Sequence, residues 1–259
     1  MQSGGLRTKG IAKKSKENKP LLTVVTVVRN GENTLEQTIL SVLNQTYDNI
    51  EYIIVDGVST DGTLDIVKKY EDKIDYWVSE PDSGLYDAMN KGAVLASGDY
   101  VAMLNSDDWY EPNACEIIAE KIKEEEADIY HGLVRVIGQT GKPLWITGAY
   151  NSIDKVLQHP TCFISKKIYL KLKYNTSYKI AADYDFSIQL HKINARFCFI
   201  EKVITNFRNT GISSNILGIE VLKIKRKHGI ISFKNYFIRM LYLLLKLLGT
   251  KIYKKEQDT

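Results

Sequence analysis

The chain has 259 residues, 44% of them hydrophobic, enough to bury a sizeable core in one large domain or a domain with an appendage. Its three cysteines, Cys115, Cys162 and Cys198, are scattered without C-x-x-C spacing, which excludes a disulfide framework and a zinc site and reads as reduced cytosolic thiols. The net charge of +4 is uneven: residues 1–19 hold six Lys/Arg against one acid and 219–259 ten against three, so the body between carries −8, which excludes a nucleic-acid-binding surface.

Residues 1–19 are polar, Lys-rich and aperiodic, and are expected to be disordered. No apolar h-region precedes Leu21, so a secretory signal is not expected and a cytoplasmic location is. Leu21 to Val28 is a continuous β-branched run, a strand buried on both faces. Arg29-Asn30-Gly31 punctuates it, and Asn33 can cap a helix with apolar positions Leu35, Ile39, Val42 and Leu43. Ile50 to Val55 is a second buried strand, ending in Asp56-Gly57-Val58-Ser59-Thr60-Asp61-Gly62-Thr63. A helix from Leu64 to Tyr70 and a short strand around Tyr76 to Ser79 follow. Asp61 in S-T-D-G-T suits a helix cap. This βαβ rhythm lays the strands parallel, and parallel sheets bind ligands beyond the carboxyl ends of their strands.

Pro81-Asp82-Ser83-Gly84 is a turn signal. The helix after it carries Leu85, Ala88, Met89, Gly92 and Ala93, small enough for close packing. Tyr100 to Leu104 is another buried strand, and it ends in Asn105-Ser106-Asp107-Asp108. Two adjacent carboxylates there repel each other and lose hydration, and a hard divalent cation would compensate them. N-S-D-D is equally good turn chemistry. Beyond it, Pro112 opens a helix through Ala119 to Glu126 with a solvated charged face. Ile129 to Ile137 and Lys142 to Thr147 form a hairpin over G-Q-T-G, and Cys162 to Ile164 is a short strand after His159-Pro160-Thr161. A-A-D-Y-D-F-S-I-Q-L-H, residues 181–191, places Asp183 and Asp185 in the first turn of a helix, where the dipole favours carboxylates.

The order V-V-T-V-V-R-N, V-D-G-V-S-T-D-G-T, S-E-P-D-S-G-L-Y-D-A-M-N-K-G and G-D-Y-V-A-M-L-N-S-D-D resembles the family 2 glycosyltransferases of the GT-A fold, over residues 21–210. It is most similar to bacterial sugar transferases of O-antigen, capsule and exopolysaccharide assembly. The resemblance implies an α/β, Rossmann-like, mostly parallel sheet over 20–218. Within it, 20–110 would be the nucleotide-sugar half and 111–218 the acceptor half, with a basic helical tail over 219–259. It implies an inverting transfer from a UDP-linked sugar with Mn²⁺ or Mg²⁺, to a glycan or undecaprenyl-diphosphate-linked acceptor.

By motif position, Asp56 would meet the uracil, Asp107 the ribose or sugar, Asp108 the metal, and Asp183 would be the base. Ala182 stands where the family carries Glu, and Gly57-Val58 where it carries Asp-Gly. Val28, Asn30, Asp87, Asn90 and Lys91 take donor-side positions by the same resemblance. Arg208, in the stretch 207–214, would close over the donor phosphates. His159 would line the acceptor pocket, unless it is a satisfied core imidazole.

The tail from Ile230 to Leu248 is strongly apolar, but Lys234, Arg239 and Lys246 interrupt it, which argues against a spanning helix. Ser232, Asn235, Arg239, Tyr242 and Lys246 make one polar stripe. Flanking basic clusters make it a helix lying on the inner face of an anionic membrane; the alternatives are packing on the body or against a second copy in a homodimer. Two rival functions are a sugar-1-phosphate nucleotidyltransferase, whose Gly-rich phosphate loop V-V-R-N-G-E-N does not supply, and a catalytically idle nucleotide-sugar-binding or scaffold protein.

Overall fold

A computed structural model describes residues 1–148, 157–209 and 214–243. In chain order its elements are β1 (Gln2–Gly4), β2 (Leu22–Val28), α1 (Leu35–Leu43), β3 (Ile50–Asp56), α2 (Thr63–Lys69), β4 (Tyr76–Ser79), α3 (Leu85–Leu95), β5 (Tyr100–Asn105) and β6 (Trp109–Tyr110). There follow α4 (Ala114–Glu124), β7 (Ile129–Ile137), β8 (Pro143–Thr147), β9 (Phe163–Ser165), α5 (Lys166–Lys171), α6 (Ala182–Lys192), β10 (Phe197–Arg208) and α7 (Ser214–Lys227). A last helix covers 233–243.

The strands make one sheet in the order β1-β4-β3-β2-β5-β9-β7-β10-β6, with β8 on β7. Its first half is the expected parallel one: β4, β3, β2 and β5 run side by side in the same direction. The second half is mixed, with β9 antiparallel to both β5 and β7 while β7 and β10 are parallel.

Every residue of β2 and β3 is buried. Alternation along β2 sends Leu22, Val24 and Val28 into one apolar layer with Ile39, Tyr52 and Ile54. It sends Val25 and Val27 into the other, with Met89, Ala93 and Met103. This two-sided burial is why the run carries no polar alternation in sequence. Gly92 lets α3 lie directly on β2, since a Cβ there would come within 2.3 Å of Val25 Cγ1.

Residues 1–19 are ordered, which corrects the expectation of disorder. β1 pairs antiparallel with β4, and Arg7 and Lys13 form ion pairs with the buried carboxylates of Glu51 and Asp75. The physical reason is that two acids buried at the lower edge of the sheet require cations, and this Lys/Arg-rich segment supplies them. Composition measured the segment's polarity but not the charges it meets.

The boundary expected at residue 218 falls inside α7, whose Ile224 is fully buried with Tyr184 and Ile188 of α6. The acceptor half and the start of the tail are therefore one packed unit. The helix expected from Ile230 to Leu248 is described over 233–243; Lys246 lies outside the described residues, as do Thr210 to Ser213 of the stretch expected to cover the phosphates. Among the described residues no helix is long and apolar enough to cross a membrane.

Candidate active site

The carboxyl ends of β2, β3 and β4 carry loops stitched to one another. Val28 C=O accepts the Gly57 N–H at 2.8 Å. Asn30, in the left-handed region at φ 56°, donates its N–H to Ser59 Oγ (2.8 Å) and accepts the Thr60 N–H on Oδ1 (2.8 Å). Asp56 is 1% exposed; its carboxylate accepts the Ser59 N–H at 3.1 Å, the Ser59 hydroxyl, and the Ser79 hydroxyl at 2.6 Å. Asp61 accepts the Thr63 N–H (3.1 Å) and the Glu32 N–H (3.2 Å), an Asx turn one residue ahead of the helix N-cap, which is Gly62 rather than the expected Asp61.

The departure at Gly57-Val58 has a local cause and a local consequence. Asp82 lies over Gly57, where a Cβ would sit 2.3 Å from Asp82 Oδ2, so an acidic side chain there would have to displace the Asp82 carboxylate and would repel it. Val58 adopts φ 59°, the left-handed conformation that glycine tolerates and a β-branched residue resists.

Asp87, Asn90 and Lys91, expected on the donor side, make bonds within the protein around α3. Asp87 accepts the Ser83 N–H (3.0 Å) at the start of α3. Asn90 is consumed by the Tyr174 backbone, giving to its C=O and accepting from its N–H, each at 2.9 Å. Lys91 Nζ donates to Pro81 O (2.6 Å), lies 3.0 Å from Glu80 and faces Asp87 at ion-pair distance (3.6 Å). Helical position alone does not say which backbone a side chain faces.

At the end of β5 the two adjacent acids part company. Asp108 is fully buried: Thr38 Oγ1 donates to its C=O (2.7 Å) and the Arg208 N–H to its Oδ1 (2.9 Å). Its Oδ2 is buried without a hydrogen-bond partner. Burial, followed by the charge of Asp107, holds its pKa well above the usual carboxylate range. Asp107 is half-buried and reaches the mouth of the sheet. Arg208, at the end of β10, donates Nε to Asp107 O (3.1 Å) and a terminal nitrogen to Gln37 Oε1 (2.7 Å), with its guanidinium 5.1 Å from the Trp109 ring centre.

Asn105, Asp107, Asp108 and Arg208 thus form one cluster at the β5 and β10 ends. A hard divalent ion suits it: an orphaned carboxylate oxygen lies beside a second, accessible carboxylate. Among the described residues no three His, Cys, Asp or Glu side chains form a protein cage, so such an ion would draw its remaining ligands from a diphosphate and water.

The other side of the cleft is the N-terminus of α6. Asp183, 20% exposed in its side chain, is held through Oδ1 by its neighbour's Tyr184 N–H (2.9 Å) and by the Tyr86 hydroxyl (3.3 Å), which also donates to Ile180 O (2.7 Å). Burial and the charge of Asp183 push the Tyr86 hydroxyl far up, so it stays a donor. His159 bridges the two sides: its Nδ1 is 3.7 Å from Asp183 Oδ2 and its Nε2 3.4 Å from Asn105 Nδ2. It sits in a one-turn 3-10 helix, His159–Thr161, whose Pro160 C=O is held by the Thr205 hydroxyl at 2.7 Å. A small, mainly apolar void lined by Leu157, His159, Cys162, Tyr174, Asp183 and Phe186, among others, lies beside it.

Asn105 and Tyr86 are site residues that motif reasoning passed over. Asn105 was visible as the first residue of N-S-D-D, and Tyr86 as the residue before Asp87. Their partners, in contrast, lie 54 and 97 residues away in sequence.

The model of the glycosyl transferase family 2 matches residues 23–191, spanning every element of this cleft except the end of β10. The chain belongs to that family. Among family 2 relatives, a PGL/p-HBAD biosynthesis glycosyltransferase of Mycobacterium tuberculosis is 30% identical over 217 residues, 79% of this chain and 83% of the relative. TuaG of Bacillus subtilis, named for teichuronic acid biosynthesis, is 39% identical over 130 residues, 49% of this chain and 51% of TuaG. In fold, this glycosyltransferase is similar to S. aureus TarS 1-349 in complex with UDP-GlcNAc, with TM-score 0.66 and 19% identity, covering 86% of this chain and 71% of that one. It is also similar to the mannosyltransferase PcManGT of Pyrobaculum calidifontis in complex with GDP-Man and Mn²⁺, with TM-score 0.63 and 17% identity, covering 90% and 72%. The expected GT-A-like α/β architecture is therefore the architecture of this chain.

Proposed function

We propose that this family 2 glycosyltransferase moves a sugar from a UDP-linked donor to a hydroxyl of a glycan or lipid-linked acceptor in surface-polysaccharide assembly, with inversion at the anomeric carbon. The observation that carries the reading is the pairing of an accessible carboxylate, Asp183, with the Asp107 strand end across the His159–Asn105 bridge. The relative named for teichuronic acid synthesis and the fold relative holding UDP-GlcNAc support the choice of donor and product class.

In this reading the acceptor enters beside His159 and places its hydroxyl against Asp183. Asp183 takes the hydroxyl proton as the oxygen attacks the anomeric carbon. The new C–O bond forms on the face opposite the bond to the diphosphate, which breaks and leaves with its electron pair as UDP. His159 and the Tyr86 hydroxyl orient the base from either side. Mn²⁺ or Mg²⁺, held by Asp107, would neutralise charge on the leaving diphosphate. Asp108 would add its unpartnered Oδ2 to that site, its other oxygen being bound to the Arg208 amide. Asp108 also fixes the turn that presents Asp107, while Asp56, Asn30 and Val28 set the shape of the nucleotide loop.

The test is UDP release from a panel of UDP-sugars with Mn²⁺. Slow release from one donor is expected, abolished by chelator and by Asp107→Ala at an unchanged melting temperature. Absence of both release and UDP binding would sink the reading; UDP binding without release from any donor would mark an idle site.

A further inference from the structure

The helix over 233–243 doubles back on α7 through Gly229, which takes φ 74°. Arg226 lies over the Phe233 ring at 5.5 Å, and a Cβ on Gly218 would meet Leu243 Cδ1 at 3.3 Å. The two helices are therefore antiparallel. Tyr236, Met240 and Leu243, at i, i+4 and i+7, are the half-buried positions of the outer helix. The opposite arc is apolar and open: Phe233 is 65% exposed, Phe237 61%, Ile238 54%, Leu241 49% and Tyr242 66%. Such a concentration of large apolar side chains over nearly three turns of one exposed helix marks an interaction site.

Charge identifies what covers it. Residues 221–255 contain ten Lys/Arg and no Asp or Glu, and Lys234 and Arg239 are exposed on the same helix. A second copy of the chain would bring two purely basic faces together without an acid on either. An apolar arc with Phe and Tyr, with Lys234 within it and Arg239 at its edge, matches the headgroup layer of an anionic bilayer, where aromatic rings and snorkelling cationic stems both find their preferred depth.

We propose that the exposed face of helix 233–243 docks this glycosyltransferase on an anionic lipid surface. The docking element packs on α7, and α7 is bonded to α6 and to the turn before it. Glu220 of α7 accepts the N–H groups of Lys179, Ile180 and Ala181 at 2.8, 2.9 and 3.0 Å, in the turn that leads into Asp183. Lys227 and His228 reach buried Asp185 Oδ1 at 3.0 and 2.7 Å. A bilayer bound at the outer helix therefore holds the Asp183 cleft at a fixed height and orientation. That arrangement suits an acceptor hydroxyl carried on a lipid, a consequence that rests on the function proposed above, whereas docking itself does not.

The experiment is flotation of the full chain with vesicles of phosphatidylglycerol and phosphatidylcholine in equal parts, against phosphatidylcholine alone. The expected result is flotation with the anionic vesicles, at least tenfold more than with the neutral ones, weakening as salt rises. Phe233→Ser/Phe237→Ser/Leu241→Ser should reduce it at least tenfold while UDP release in solution is retained. Lys234→Glu/Arg239→Glu, which leaves the apolar contacts in place, should reduce it too and covers the case in which the triple variant fails to fold. Absence of flotation by the wild type at low salt would overturn the proposal. So would a wild-type dimer in light scattering that the triple variant converts to monomer without any vesicle binding. Flotation by a chain that never releases UDP would leave the docking surface standing and remove the enzymatic reading alone.

Discussion

The two halves of the sheet treat buried polar groups differently. In the parallel half, Glu51 is 1% exposed yet accepts from Arg7, Thr23 and Ser97, and Asp75 accepts from Lys13 and the Tyr52 N–H. At Glu51 hydrogen bonds outweigh burial and lower the pKa, whereas at Asp75 burial prevails and raises it. From the end of β5 onward compensation is incomplete: among the described residues the buried atoms without a partner include Asn105 Oδ1, Asp108 Oδ2, Tyr110 Oη and His131 Nε2, with Trp77 Nε1 the exception in the parallel half. Buried polar groups are normally paired, so the contrast separates a well-paired half from one with unpaired interior polar atoms, two of them, Asn105 Oδ1 and Asp108 Oδ2, at the candidate site. Substitutions on either side test whether that separation is real.

The largest effect is expected on the less-paired side. Asp183→Asn keeps the size of the side chain and an acceptor for the Tyr184 N–H and the Tyr86 hydroxyl, but cannot take a proton. Transfer should fall on the order of 10³-fold, with donor affinity and melting temperature unchanged. A loss of donor affinity of similar size would make Asp183 a binding residue and move the base elsewhere.

On the well-paired side, Arg7→Ala leaves Glu51 buried with hydroxyl and amide donors but without its cation. Removing one partner of a buried pair costs about 3 kcal/mol, readable as a shift of the denaturant midpoint at constant slope. UDP release per folded molecule should not change. An effect on release and none on stability would reverse the assignment of this half as scaffold.

How much of this was legible follows the same division. The runs Leu21–Val28 and Ile50–Val55 announce the parallel half because burial on both faces leaves β-branched and aliphatic residues, interrupted only by Glu51 and Tyr52. β10 was not legible: register shifts between Phe199 and Val203 and again before Thr205 break its alternation, and β6 has only two residues. The site was legible as separate signals, N-S-D-D and the acids of α6. The contact that joins them runs through His159, and no local pattern specifies that a histidine in a one-turn helix will bridge Asn105 and Asp183. The ordering of residues 1–19 was hidden for a similar reason, since its charges are explained only by carboxylates more than forty residues away.

His131 offers a smaller test, within the less-paired half. Burial pushes its pKa down to about 4 from the usual 6.5. The unfolded chain takes up a proton as pH falls through 6.5, while the folded ring stays neutral until about pH 4. The stability contribution is therefore complete above pH 6.5 and lost between there and pH 4, at most about 3 kcal/mol. His131→Leu should flatten the acid limb of a stability-versus-pH curve between these limits. An unchanged limb would assign the acid sensitivity to other groups.

Val58 gives the smallest effect and the sharpest probe of where the two halves meet, since its loop is bonded to Asp56 on one side and to Asn30 on the other. A β-branched residue in the left-handed region is strained by about 1–2 kcal/mol. Glycine would relieve that strain while adding about 0.5–1 kcal/mol of unfolded-state entropy. The two oppose each other, and Val58→Gly should stabilise the protein by only about 0.5 kcal/mol. If UDP release is unaltered, the strain is a tolerated local feature of a scaffold loop. If release slows while stability rises, Val58 holds the Asp56–Ser59 turn in a shape that the donor needs, and the candidate site extends past β5 into the loops of the parallel half.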